Sequence, residues 1–119
     1  MGWLQKLMGG PTGVGPEEAS DLKRGGAVLL DVREVDEWQA GHAPDARHVP
    51  LGDVASRLDS LPRDRRLVVI FRSGHRSSRA TALLLDSGFD AVNLDGGMRA
   101  WAGAGLPLEA AGGRKGRVV

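Results

Sequence analysis

Arg72, Ser73, Gly74, His75, Arg76 and Ser77 stand consecutively between two apolar runs, Leu67-Val68-Val69-Ile70-Phe71 and Ala80-Thr81-Ala82-Leu83-Leu84-Leu85. Two guanidinium groups, two hydroxyls and a glycine in one short turn suit the grip of an oxyanion. Arginine offers forked, charge-assisted hydrogen bonds, and glycine opens backbone conformations closed to other residues. The flanking runs say how the turn must be held. The first is apolar without alternation and rich in β-branched residues, which reads as a buried strand. The second is expected to open as a helix at Ser77 and Ser78, whose hydroxyls suit a helix N-terminus. A strand that feeds a helix start through a tight turn brings several backbone N–H groups, and the positive end of the helix dipole, to one spot.

The turn resembles the active-site loop of the rhodanese (thiosulfate sulfurtransferase) superfamily, whose pattern is Cys-Arg-Ser-Gly-x-Arg-Ser. Phe71-Arg72-Ser73-Gly74-His75-Arg76-Ser77 meets every fixed position except the first. Two further blocks stand in the family's order. Leu30-Asp31-Val32-Arg33-Glu34, followed by Glu37-Trp38 and Gly41-His42, is similar to the opening signature. Asn93-Leu94-Asp95-Gly96-Gly97-Met98-Arg99-Ala100-Trp101, followed by Gly105-Leu106-Pro107, is similar to the closing one. The likeness covers residues 12–108, and one departure is Asp45, where the family usually has glycine. It implies a parallel sheet with the active loop between the fourth strand and its helix. It also implies a site built of Arg72–Ser77 as an anion-binding loop, with Asp31, Arg33, Glu37 and His42 in support. No metal and no cofactor is expected.

In that family a cysteine thiolate takes a sulfane sulfur from a donor such as thiosulfate and hands it to cyanide or another thiophilic acceptor. The thiol must have a low pKa, set by surrounding N–H groups and a helix N-terminus. Here the nucleophile's position is Phe71, and the chain has no cysteine at all. A benzyl group has no lone pair, does not ionise and cannot carry sulfur, and it crowds the space where a persulfide would form. Ser73 or Ser77 would need a neighbouring base such as His75, and an adduct of serine with sulfur is a poor carrier. The loop is also shorter than that of phosphatases of related architecture, which suits sulfur better than a phosphoryl group. Two readings stand. In one the chain is an inactive member that binds a small sulfur-containing anion or a protein partner. In the other it is a thiosulfate or persulfide sulfurtransferase whose cysteine has been replaced.

Composition narrows the classes. With 119 residues there is room for one domain. A formal net charge of +1 gives no electrostatic case for nucleic acid. Without cysteine there are no disulfides and no thiolate metal sites. No apolar run approaches the roughly 20 residues of a membrane span, so a membrane role is not expected. The opening Met1–Met8 lacks the apolar core of a secretory signal, which makes the cytoplasm the expected location.

The remaining elements follow from pattern. Residues 1–11 form an extension, either a short helix or a frayed end, stopped by Gly9-Gly10-Pro11. Thr12-Gly13-Val14 is expected as an edge strand, and Pro16-Glu17-Glu18 as the first turn of a helix that ends at Gly25-Gly26. Ala27–Val32 reads as a second buried strand, followed by a helix over 35–40, a short strand at 47–50 and a helix over 52–58. Phe89–Leu94 is the fifth strand, and Met98–Ala102 the last helix. Residues 109–119 read as a flexible tail, disordered around Gly112–Arg117. Arg33 is expected to pair with Glu37 one helical turn on. His42 should brace its loop, and Trp38 and Trp101 should pack in or near the core. His42 and His48 are too few to hold a metal. Alternating strands and helices at these spacings predict an α/β domain: a five-stranded, mostly parallel sheet with helices on both faces. Ligands of such sheets sit beyond the carboxyl ends of the strands, where the turn after Ile70 lies.

Overall fold

Short apolar stretches without alternation become strands buried on both faces. Three such strands, β2 (Val28–Asp31), β4 (Leu67–Ile70) and β5 (Ala91–Leu94), stand between two short edge strands, β1 (Gly13–Val14) and the polar β3 (Arg47–His48). They form one sheet in the order β1-β5-β4-β2-β3, and every pairing is parallel. The computed structural model describes residues 13–73 and 77–119. The expected N-terminal helix, and Gly74, His75 and Arg76 of the turn, lie outside the described residues.

Among the described residues four α-helices cover the sheet: α1 (Pro16–Arg24), α2 (Val35–Ala40), α3 (Ser77–Asp86) and α4 (Gly97–Gly103). β4 shows how the core divides. Leu67 and Val69 join Leu30, Val32, Ala80, Leu84 and Phe89 on the α3 side. Val68 and Ile70 face Ala19 of α1 and Met98 and Trp101 of α4 on the other. Period-two alternation of a fully buried strand feeds two separate clusters.

Three expectations change in detail. The helix over 52–58 is two 3-10 segments, Leu51–Asp53 and Ala55–Ser60. Hydroxyls of Ser56 and Ser60 donate to the carbonyls of Asp53 and Arg57, three residues back, which competes with an α-helical ladder. The fifth strand begins at Ala91, because the Phe89 amide instead closes α3 on the Leu84 carbonyl. Asp45 has a φ of 64°, the left-handed region that favours glycine, so the departure noted in the sequence falls where the backbone wants that residue.

Residues 109–119, read from composition as a free tail, make backbone bonds to the body of the domain. His42 and Glu109 exchange both of their N–H to C=O bonds at 2.9 Å, and the Arg117 amide donates to the Ala40 carbonyl at 2.8 Å. Gly41 leaves room for this: a Cβ there would stand 2.3 Å from the Arg117 carbonyl oxygen.

Candidate functional site

The turn begins where β4 ends. Its first residue, Phe71, continues the strand's alternation, so its half-buried ring packs against the cluster on the α3 side. Arg72 and Ser73 follow and are exposed. α3 starts at Ser77, so its N-terminal amides face back toward the turn. A buried hydrogen bond from the Thr81 hydroxyl to the Asn93 side-chain oxygen ties α3 to β5.

The other wall comes from α4. Its Met98 amide donates to the Phe71 carbonyl at 2.8 Å, and its Arg99 amide to the Arg72 carbonyl at 3.1 Å. These bonds use N–H groups that a helix start leaves unpaired, and they fix the first two residues of the turn. Gly97 allows the approach. It sits at a φ of 58°, and a Cβ there would lie 2.2 Å from the Phe71 carbonyl oxygen and 2.8 Å from the Arg72 carbonyl carbon. Gly97→Ala is therefore expected to cost about 2–3 kcal/mol, combining left-handed strain with a backbone overlap. Gly103→Ala on the same helix, where a Cβ would meet nothing within 4 Å, is expected to be neutral or slightly stabilising. Urea denaturation of the two variants checks the contrast.

Asp31 and Arg33 sit at the root of the same turn, because Asp31 is in register with Ile70. Both side chains are buried. The Arg33 guanidinium grips Asp31 through Nε to Oδ1 at 3.0 Å and Nη2 to Oδ2 at 2.8 Å, and Nη2 also donates to the Gly41 carbonyl at 2.7 Å. Its Nη1 has no acceptor among the described residues. The expected Arg33–Glu37 pair is not made. Glu37 instead accepts the Glu34 amide at 3.0 Å, at the start of α2. Arg33 precedes that helix, so helical spacing does not apply to it. In extended chain, residues two apart point the same way, which brings Arg33 to Asp31.

His42 donates from Nδ1 to the Trp38 carbonyl at 2.7 Å, which is the brace expected of it. Its ring stacks on the Trp38 indole at 3.6 Å between centroids, and His48 stacks on the same indole at 4.8 Å. His48 also bonds through Nε2 to the Arg33 carbonyl at 2.7 Å, a contact that sequence spacing did not suggest. Trp101 is buried and donates to the Pro107 carbonyl. Thus Asp31, in register with the last residue of β4, Arg33 and His42 lie around Gly41, while Glu37 stays at the helix start. Among the described residues no group of three or more His, Asp or Glu could hold a metal ion.

Residues 15–104 match the family model of the rhodanese-like domain. The chain is 42% identical over 79 residues to a putative sulfurtransferase, YtwF, of Bacillus subtilis, a match spanning 66% of this chain and 77% of that one. It is 38% identical over 87 residues to the thiosulfate sulfurtransferase GlpE of Pseudomonas savastanoi, spanning 72% and 82%. Among solved structures, a rhodanese-related protein of Thermoplasma volcanium superposes with a TM-score of 0.77 at 26% identity, covering 82% of this chain and 96% of that one.

Proposed function

This chain belongs to the rhodanese-like family, and we propose that it is a member without sulfur-transfer turnover, whose loop binds a small sulfur-containing anion or a protein partner. One observation carries the reading: the first residue of the loop is Phe71, its ring committed to the apolar cluster, in a chain that holds no cysteine. Sulfur transfer through a protein persulfide needs a thiolate to attack the donor, and no side chain at this position supplies one. What remains favours binding. The sequence keeps Arg72, Ser73, Gly74 and Arg76 of the pattern, and α4 still braces the carbonyls of Phe71 and Arg72. The start of α3 adds the positive end of a ten-residue helix. The cytoplasm is the proposed location; among the described residues no helix is long and apolar enough to cross a membrane.

The same retention supports a second reading, in which the chain descends from a working sulfurtransferase through replacement of the residue at position 71 alone. Both readings expect an intact anion site. Titration with thiosulfate and with sulfate should shift the amides of Arg72, Ser73 and the first turn of α3 in a saturable way. The expected dissociation constants are about 1–10 mM, since few contacts are made in an exposed turn. Thiosulfate and cyanide together should yield no thiocyanate beyond the protein-free rate. Unmoved amides at saturating anion would rule out an open cradle, and turnover by the cysteine-free chain would rule out the assignment altogether.

A further inference from the structure

Away from the loop, the C-terminal hairpin and the end of α2 enclose a groove of about 400 Å³, and we infer that it binds a small anion carrying two or more negative charges. The charged side chains lining it are Arg114, Lys115 and Arg117, all exposed and none in an ion pair among the described residues. Ala40, Ala110 and Ala111 supply an apolar lining. Glu109, next to Ala110 in the chain, has its carboxylate 3.8 Å from His42 Nε2, and no acid is among the lining residues.

Comparison with the two grooves at the opposite ends of the strands makes the point. One mixes Glu18, Asp21 and Asp64 with Arg65 and Arg66. The other sets Lys23, Arg47 and Arg65 against Asp45 and Asp64, and Lys23 is already paired with Asp45 at 3.4 Å. In each, acids and bases offset one another to within a single charge. Three cations of one sign around a concave wall do not, and they focus a positive potential into it.

The walls are fixed by backbone rather than by the cations themselves. The Arg117 amide donates to the Ala40 carbonyl at 2.8 Å, the Ala110 amide to the Arg114 carbonyl at 3.0 Å, and the Gly113 amide to the Ala110 carbonyl at 3.2 Å. The side chains of Arg114 and Arg117 therefore stay available to a ligand, and binding has to order their rotamers but not the backbone that carries them. The volume is that of a small-molecule site. Phosphate and carboxylate ligands share the required chemistry, and arginine grips either in a forked manner.

Amide shifts of the full chain, followed during titration with inorganic pyrophosphate and separately with citrate, test this at constant ionic strength. Saturable shifts are expected at Ala40 and at residues 110–117, with the stronger anion naming the source. Arg114→Gln/Arg117→Gln should weaken that binding by about tenfold or more while leaving the unfolding midpoint in place, because the backbone bonds remain. If the double variant fails to fold, Lys115→Gln alone should weaken binding by about threefold. The inference fails if chloride reproduces the shifts, or if the variants bind as the parent does. It also fails if pyrophosphate moves only Arg72, Ser73 and the start of α3, a result that would leave the reading of the loop standing.

Discussion

Phe71→Cys is expected to convert the chain into a sulfurtransferase, raising thiocyanate formation from thiosulfate and cyanide by about 100-fold or more over the parent. The thiolate would attack the outer sulfur of thiosulfate, the S–S bond would break, and sulfite would leave with the bonding pair. Cyanide would then take the sulfur and free the thiolate. The parent lacks the attacking atom for this sequence of events. The carbonyls of residues 71 and 72 are held by α4, α3 begins a few residues on, and both family arginines are in the chain. Helix N-termini and neighbouring cations lower a thiol's pKa, which makes a cysteine there reactive at neutral pH. The gain comes with a loss of stability. The half-buried ring packs against the α3-side cluster, and removing most of it should cost about 1–2 kcal/mol. Phe71→Ser loses the same contacts without providing a thiolate and should stay inactive. A folded Phe71→Cys protein that forms no persulfide would mean that the loop's geometry has drifted from sulfur chemistry, leaving binding as its role.

How far the chain could be read in advance depends on how local each signal is. β4 declares itself, because five consecutive apolar residues followed by a polar turn need no distant information. The three motif blocks are likewise local, and they placed Asp31, Arg33, His42 and the turn on one end of the sheet. Gly97 was legible as part of a motif but not as a contact. Two adjacent glycines permit many paths, and only the docking of α4 on the Phe71 carbonyl shows why the second has no side chain. The segment 109–119 misled for a different reason. Its glycines and cations offer little apolar surface, which is what disorder looks like in composition. Yet it is held through N–H and C=O groups that every residue carries, and composition is blind to those. The choice of Glu37 for Arg33 failed because helical spacing was applied to a residue that stands before the helix. α2 starts at Val35, and the preceding chain is extended.

That ion pair is also where the fold is most vulnerable. Asp31→Ala is expected to lower the free energy of unfolding by about 3–5 kcal/mol, the cost of leaving a buried charge without its partner. Arg33 has little in reserve: its Nη1 already lacks an acceptor, and the Gly41 carbonyl would be the one remaining side-chain contact among the described residues. Against a total stability of roughly 5–15 kcal/mol for a domain, such a loss brings the chain close to unfolding. The pair is not needed as charge, however. Replacing both partners with apolar residues, as in Asp31→Leu/Arg33→Met, removes the desolvation cost along with the attraction and should recover most of the stability. Urea denaturation of the single and double variants separates the two effects. Recovery in the double variant, with the thiosulfate-induced shifts of Arg72 and Ser73 weakened, would show that the pair's role is to set the root of the loop. A loss below about 1 kcal/mol in Asp31→Ala would show instead that the strand end is held by β4 alone.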